Sequence, residues 1–276
     1  MKNIYITDLD HTFLRTDLSV SDYTKKIWNS YEKDAIISIA TARTYKKTMQ
    51  FLKGVSINAP MILLDGALIA TTEKKIVDTK FISKNVADEI IDEGGKLGIY
   101  PFVLSLVDQE LNEAFTYSTT LNNYQTEILK RYANDDHTQG FKNLRAMDDN
   151  FKIVYMADEA ILIELEQRIK KIFGDELKYI LAPEAYMGCY FLTILHKDAD
   201  KAHGITSVSE AAGFDLNRLS VFGDNLNDIG MFNLANTSVA VANAHDDVKK
   251  MADIVLKHSN DEDGVAKYLE ELKNDG

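Results

Sequence analysis

The chain has 276 residues, 45% of them hydrophobic and 27% charged, which fits one large domain or a core with a smaller companion and excludes a disordered or collagen-like chain. A net charge of −12 argues against nucleic-acid binding through the phosphate backbone, and it repels phosphorylated ligands unless a metal or local cations reverse the sign at the site. No uncharged apolar run approaches the ~18 residues of a membrane span, residues 1–8 reach an acid too soon for a signal-peptide core, and the single cysteine, Cys189, cannot form a disulfide within the chain, so a cytoplasmic location is expected.

In chain order, residues 4–6, 35–40 and 61–64 are short apolar runs stopped by polar residues. Such runs predict strands buried on both faces, as in parallel sheets. From about 83 to 196 the texture changes. Residues 160–173 place Ile161, Leu162, Leu165, Ile169, Ile172 and Phe173 on one helical face, and 151–156 and 190–195 read as strands. After this stretch, Lys201–Ala212 predicts a helix with Gly213 as its C-terminal cap. Apolar runs then return at 219–222, 239–242 and 254–256, with a helix predicted over Ile229–Leu234. The expected architecture is α/β: a Rossmann-like, doubly wound parallel sheet in two parts, 1–82 and 197–276, with an α+β domain inserted at 83–196.

Open parallel sheets bind ligands beyond the carboxyl ends of their strands. The first run is followed by Thr7-Asp8-Leu9-Asp10-His11-Thr12 and the second by Thr41-Ala42-Arg43. Asp65-Gly66-Ala67 follows the third, and the fourth ends in Gly223-Asp224-Asn225-Leu226-Asn227-Asp228. At least five carboxylates therefore reach one rim. Like charges so close repel, and a hard divalent cation such as Mg²⁺ is the simplest counter-charge. Taken singly, each piece has a plain alternative. Asp8-Leu9-Asp10 could be a turn or a helix cap. The Gly223 segment could be a polar turn; a calcium loop is excluded by Leu226 and Ile229 at its third and sixth positions. Lys201 could be a solvated surface charge.

These residues, in this order, resemble the haloacid dehalogenase-like phosphatases, and more narrowly the Cof-type sugar-phosphatase branch with a large inserted cap. Asp65-Gly66-Ala67-Leu68-Ile69, Val241-Ala242-Asn243-Ala244 and the segment from Asn260 to Ala266 look similar as well. The resemblance covers both core parts; the cap matches only in size and position. The family usually has Gly at the positions of His11, Ala42 and Ala202, and Asn at that of Asp65.

The resemblance implies a Mg²⁺-dependent phosphatase of small phosphorylated metabolites, with sugar phosphates expected. Asp8 is the implied nucleophile, forming an aspartyl phosphate, and Asp10 the acid and then the base. Asp8, the Asp10 carbonyl and Asp224 are the implied metal ligands. Asp228 orients the metal shell. Thr41, Lys201 and Asn227, with the amides of Leu9 and Ala42, are the implied phosphate binders. Arg43, Asp65 and His11 are placed near the substrate. The cap is expected to close over the site, with Tyr186, Tyr190 and His196 as residues to watch, although packed or surface aromatics are the plainer reading of each. Cys189 reads as a small core residue. A phosphomutase or phosphotransferase on the same scaffold is the alternative. A metal-dependent glycosyltransferase also uses D-x-D but leaves Asp224, Asp228 and Lys201 without a role. The expected partner is a small phosphorylated metabolite, not nucleic acid or membrane, and the chain is expected to be a monomer or a weak homo-oligomer.

Overall fold

The computed structural model describes residues 2–131, 138–184 and 187–275. In chain order the first part contains β1 (Asn3–Thr7), α1 (Asp22–Asn29), β2 (Ala35–Ile39), α2 (Tyr45–Phe51), β3 (Met61–Leu63), β4 (Leu68–Ala70) and β5 (Ile76–Thr79). The middle holds β6 (Ile82–Ser83), α3 (Lys84–Lys96), β7 (Phe102–Leu106), β8 (Glu113–Ser118), α4 (Asn123–Arg131), β9 (Thr138–Phe141), β10 (Asp149–Ala157), α5 (Glu159–Phe173), β11 (Leu177–Glu184) and β12 (Cys189–His196). The last part adds α6 (Lys201–Ala212), β13 (Leu219–Gly223), α7 (Ile229–Leu234), β14 (Thr237–Ala240), α8 (Asp246–Met251), β15 (Ile254–Val255) and α9 (Gly264–Asp275). The chain divides into two compact units, Met1–Thr79 with Asp200–Gly276, and Lys80–Ala199. Residues 82–83 fall in the second unit because β6 pairs with β10.

The first unit is built on a five-stranded parallel sheet in the order β15-β14-β13-β1-β2. Ile4, Ile6, Ile37, Ile39, Val221 and Phe222 are buried in it, as expected for strands covered on both faces. The third apolar run departs from that plan. It joins β2 only through a parallel bridge between Ala40 and Ile62, and β3 pairs antiparallel with β4. The cause is local: Leu64, Asp65 and Gly66 all take positive φ, 52°, 56° and 90°, and reverse the chain at once. A side chain at Gly66 would meet the Asp200 carbonyl oxygen at 2.1 Å, so the turn can press against the start of α6 only with glycine there.

Strand order reverses between β1 and β13. From β1 the chain goes to β2 on one side, while β13, β14 and β15 follow on the other. Such a switch point opens a crevice at the carboxyl ends of the two strands, where Asp8 and Asp224 lie. In the second unit, β11-β12-β10-β7-β8-β9 form one sheet with β6 against β10. Ile90, Ile91, Leu162, Leu165 and Ile169 from α3 and α5 pack with Val103, Ile153 and Ile194 from its strands. Pro183 lies in β11, at the edge of that sheet, where a missing backbone donor is tolerated.

Candidate active site

Asp8 leaves β1 with its amide bonded to the Phe222 carbonyl at 2.9 Å, which ties it to the end of β13. It is 6% exposed, and Asp228 is fully buried. Lys201, the first residue of α6, is only 2% exposed, far from the solvated lysine that residue statistics favour. Its Nζ donates to Asp8 Oδ1 and to Asp228 Oδ1, each at 2.6 Å. Asp200 positions this lysine by capping α6, its Oδ1 accepting the His203 amide at 2.7 Å. Asp228 also fixes the loop after β13: Oδ2 accepts the amides of Asp224 at 2.9 Å and Asn225 at 3.0 Å. Glycine is required just before. A Cβ at Gly223 would meet Asp228 Oδ2 at 2.6 Å.

Asp8, Asp224 and Asp228 present ligand oxygens that all lie within 4.8 Å of one another, a group that could hold a metal ion. Three carboxylates face one ammonium, so an excess of negative charge is buried. Burial pushes the Asp8 carboxyl well above the ordinary range; Lys201 opposes the shift, while Asp228 and Asp224 add to it. Burial likewise raises Asp224 to about 6; a hydrogen bond from Thr12 Oγ1 at 2.9 Å eases this, Asp228 adds to it, and His11 and Lys201 ease it further. For Lys201, burial works against the charged form, but Asp8 and Asp228 outweigh it and hold the ammonium protonated above the ordinary lysine range. A divalent ion bound here would favour the ionised form of these carboxyls and oppose that shift. All-oxygen ligands suit a hard ion.

Asp10 is directed elsewhere. Its carboxylate lies outside the three-acid group and is gripped by Arg43. Nε reaches Oδ1 at 3.0 Å and Oδ2 at 2.7 Å, and Nη2 also donates to Oδ1. The guanidinium lies 4.4 Å from the centre of the Phe51 ring. Only the backbone carbonyl of Asp10 remains for the metal role expected of this residue. Thr41 is buried. Its amide donates to the Ile62 carbonyl at 2.8 Å, and its hydroxyl accepts the Arg43 amide at 3.2 Å. The Ala42 amide between them has no partner among the described residues. Asn227 Nδ2 donates to Asp65 Oδ1 at 3.1 Å, so its amide is engaged by a neighbouring acid. Leu9 begins the irregular turn Leu9–Phe13, in which His11 has φ 57°.

Residues with no assigned role in the sequence hold this turn. Asn243 Nδ2 donates to the His11 carbonyl at 2.7 Å, and Asn260 Nδ2 to the Leu14 carbonyl at 3.0 Å. Asp263 accepts from Arg15, Ser21 and Thr24. Their asparagines and acids sit at the ends of predicted strands or in polar runs, a weak signal until the partners are known.

In the second unit, Tyr190 packs against the core, and His196 Nδ1 accepts the Asp198 amide at 3.2 Å. Tyr186 lies outside the described residues. Cys189 is buried with Phe102 and Met156, the environment of a packing residue. No helix among the described residues is long and apolar enough to cross a membrane.

A family model described as haloacid dehalogenase-like hydrolase matches residues 5–269. The chain is 23% identical over 283 residues to the 5-amino-6-(5-phospho-D-ribitylamino)uracil phosphatase YitU of Bacillus subtilis, covering 96% of this chain and 95% of that one. Among solved structures, TM0651 from Thermotoga maritima matches with a TM-score of 0.80 and 24% identity, over 98% of this chain and 97% of that one. The sugar phosphatase BT4131, of HAD subclass IIB, matches at 0.73 and 21%, over 99% of each chain.

Proposed function

The chain belongs to the haloacid dehalogenase-like hydrolase family, and from that footing we propose that it is a Mg²⁺-dependent phosphatase acting on phosphate monoesters of small polyhydroxylated metabolites. The observation that carries this reading is the bridge of Lys201 between Asp8 and Asp228, with Asp224 completing a three-acid group where β1 and β13 diverge. Similarity to a phosphoribityl-compound phosphatase and to a sugar phosphatase supports the substrate class.

Asp8, the Asp10 carbonyl and Asp224 would hold Mg²⁺, which would supply charge neutralisation at the phosphoryl oxygens. Asp8 attacks phosphorus, its carboxylate oxygen forming a P–O bond as the ester P–O bond breaks. Asp10 gives its proton to the departing alkoxide oxygen. In the second half, Asp10 takes a proton from water as that water attacks the aspartyl phosphate, releasing inorganic phosphate and restoring both acids. Arg43 must therefore yield at least one Asp10 oxygen when substrate enters. Lys201 holds Asp8 in place and offers its remaining N–H to the phosphoryl group, joined by the Ala42 amide and Thr41. Asp228 anchors Lys201 and the loop that carries Asp224.

Phosphate-monoester hydrolysis can demand ~10²¹-fold acceleration, about 28 kcal/mol. Positioning supplies about 7–11 kcal/mol and acid–base help about 3–5, so electrostatic stabilisation must supply the largest single share. The test is phosphate release from a panel of phosphorylated sugars and polyols with Mg²⁺, run beside Asp8→Asn. Loss of turnover by at least ~10³-fold is expected. Undiminished turnover in the variant removes Asp8 as nucleophile, and activity that survives a chelator removes the cation.

A further inference from the structure

The second carboxylate of Asp8-Leu9-Asp10 stands two residues from the first, yet it is not part of the group that Asp8 forms with Asp224 and Asp228. Its partner is Arg43. Nε and Nη2 together meet both Asp10 oxygens, a planar fork that fixes the direction of a carboxylate as a lysine cannot. The fork is itself seated: the guanidinium lies 4.4 Å from the centre of the ring of Phe51, the last residue of α2.

The loop that carries Arg43 does not need this side chain. The Arg43 amide donates to Thr41 Oγ1 at 3.2 Å, and the Arg43 carbonyl accepts the Leu64 amide at 3.1 Å. The Asp65 amide donates to the Thr41 carbonyl at 3.0 Å. These bonds tie residues 41–43 to the turn at 64–66. The backbone around Asp10 is held as well, by the Leu14 amide on the Leu9 carbonyl at 2.8 Å and by Asn243 on the His11 carbonyl. What remains for the guanidinium is the direction and charge of the Asp10 carboxylate. A free carboxylate near a divalent ion is a ligand, whereas a group that transfers protons to the leaving oxygen must stay off the ion.

We propose that Arg43 is the positioning residue of Asp10: seated on Phe51, it keeps the second carboxyl apart from the cation group, so that Asp10 serves proton transfer instead of ligation. The inference rests on the phosphatase reading and deepens it. A fork that meets both oxygens can release one to the leaving group and keep the other.

Arg43→Ala, alone and combined with Asp10→Asn, makes the test. The pair is partly exposed, so the melting midpoint should fall by about 4 °C at most. The first readout is kcat/KM on phenyl phosphate, whose leaving group needs a proton, and on p-nitrophenyl phosphate, whose leaving group needs far less help. Arg43→Ala is expected to lose about tenfold more on the first ester than on the second. The second readout is calorimetric Mg²⁺ affinity. It should rise at least about threefold in Arg43→Ala, where the Asp10 charge is set free, and return to within about twofold of the parent in the double variant. Equal losses on both esters, an affinity that does not rise, or a rise that persists in the double variant overturns the inference and leaves the phosphatase reading standing. So does a parent that cleaves p-nitrophenyl phosphate alone, since it has no proton donor to aim. A parent that cleaves neither these esters nor any sugar or polyol phosphate contradicts the phosphatase reading, and the inference falls with it.

Discussion

Replacing Lys201 with methionine keeps the bulk of the side chain and deletes one charge from between two buried acids. In the native protein, Nζ is 2.6 Å from both Asp8 Oδ1 and Asp228 Oδ1, and neither acid has appreciable access to water. Breaking a buried ion pair by removing one partner costs about 3–5 kcal/mol, against a total stability of roughly 5–15 kcal/mol for a domain. For a unit of this size each kcal/mol moves the melting midpoint by about 2–4 °C, so a loss of about 6–20 °C is expected near pH 8. The loss should shrink as pH falls. Lys201 has a native pKa above its ordinary value, so its own contribution is complete throughout the range from about pH 5 to 8. Without it, Asp8, already raised by burial, loses the cation that opposes that shift. The folded variant then binds more protons than the unfolded chain above about pH 4, and its stability rises as pH falls toward 5. Scanning fluorimetry of the two proteins across this range is the assay. A variant as stable as the parent at pH 8, or a deficit that does not change with pH, would refute the buried-charge account.

Cation binding should share this proton linkage in the parent. Asp224 is raised to about 6 and must lose its proton to ligate, so calorimetric Mg²⁺ affinity should fall at least about tenfold per pH unit below about 6. Thr12→Val, which removes the 2.9 Å bond to Asp224, should move that limb to higher pH; an unchanged profile would count against Asp224 as a ligand. Gly223→Ala places a methyl 2.6 Å from Asp228 Oδ2. It should cost about 1–3 kcal/mol in denaturant titration and lower turnover by displacing Asp228 from Lys201. Unaltered stability would show that the loop can move aside.

The charged residues of this site were legible because of where they follow the apolar runs. A strand buried on both faces is a run of Ile, Val and Ala, and in a parallel sheet the next residues lie at its carboxyl end, so Asp8, Thr41 and Asp224 announced themselves. The helix bearing Lys201 was legible from its apolar face and Gly213. Partner choice was not. That Arg43 closes on Asp10, that Asn227 turns to Asp65, and that Asp228 binds Lys201 are decided across separations of 33, 162 and 27 residues, over which local pattern carries no information. The third run is apolar like the others, yet the positive φ values at Leu64, Asp65 and Gly66 turn it into an antiparallel sheet; Asp-Gly is a turn signal, but leucine does not advertise that conformation. In the second unit, β10 and β12 were readable as the runs 151–156 and 190–195, but β7 was not singled out, and the half-buried alternation of β8 and the proline in β11 hid their strands.

The central claim is that Asp8 carries the phosphoryl group beside a cation it shares with Asp224. Beryllium fluoride, which mimics an acyl phosphate, tests it directly in a crystal grown with Mg²⁺. The account predicts the trifluoride on the Asp8 carboxylate and one Mg²⁺ bound by Asp8, the Asp10 carbonyl and Asp224. A fluoride bound elsewhere, or a cation that touches Asp8 or Asp224 but not both, would contradict it.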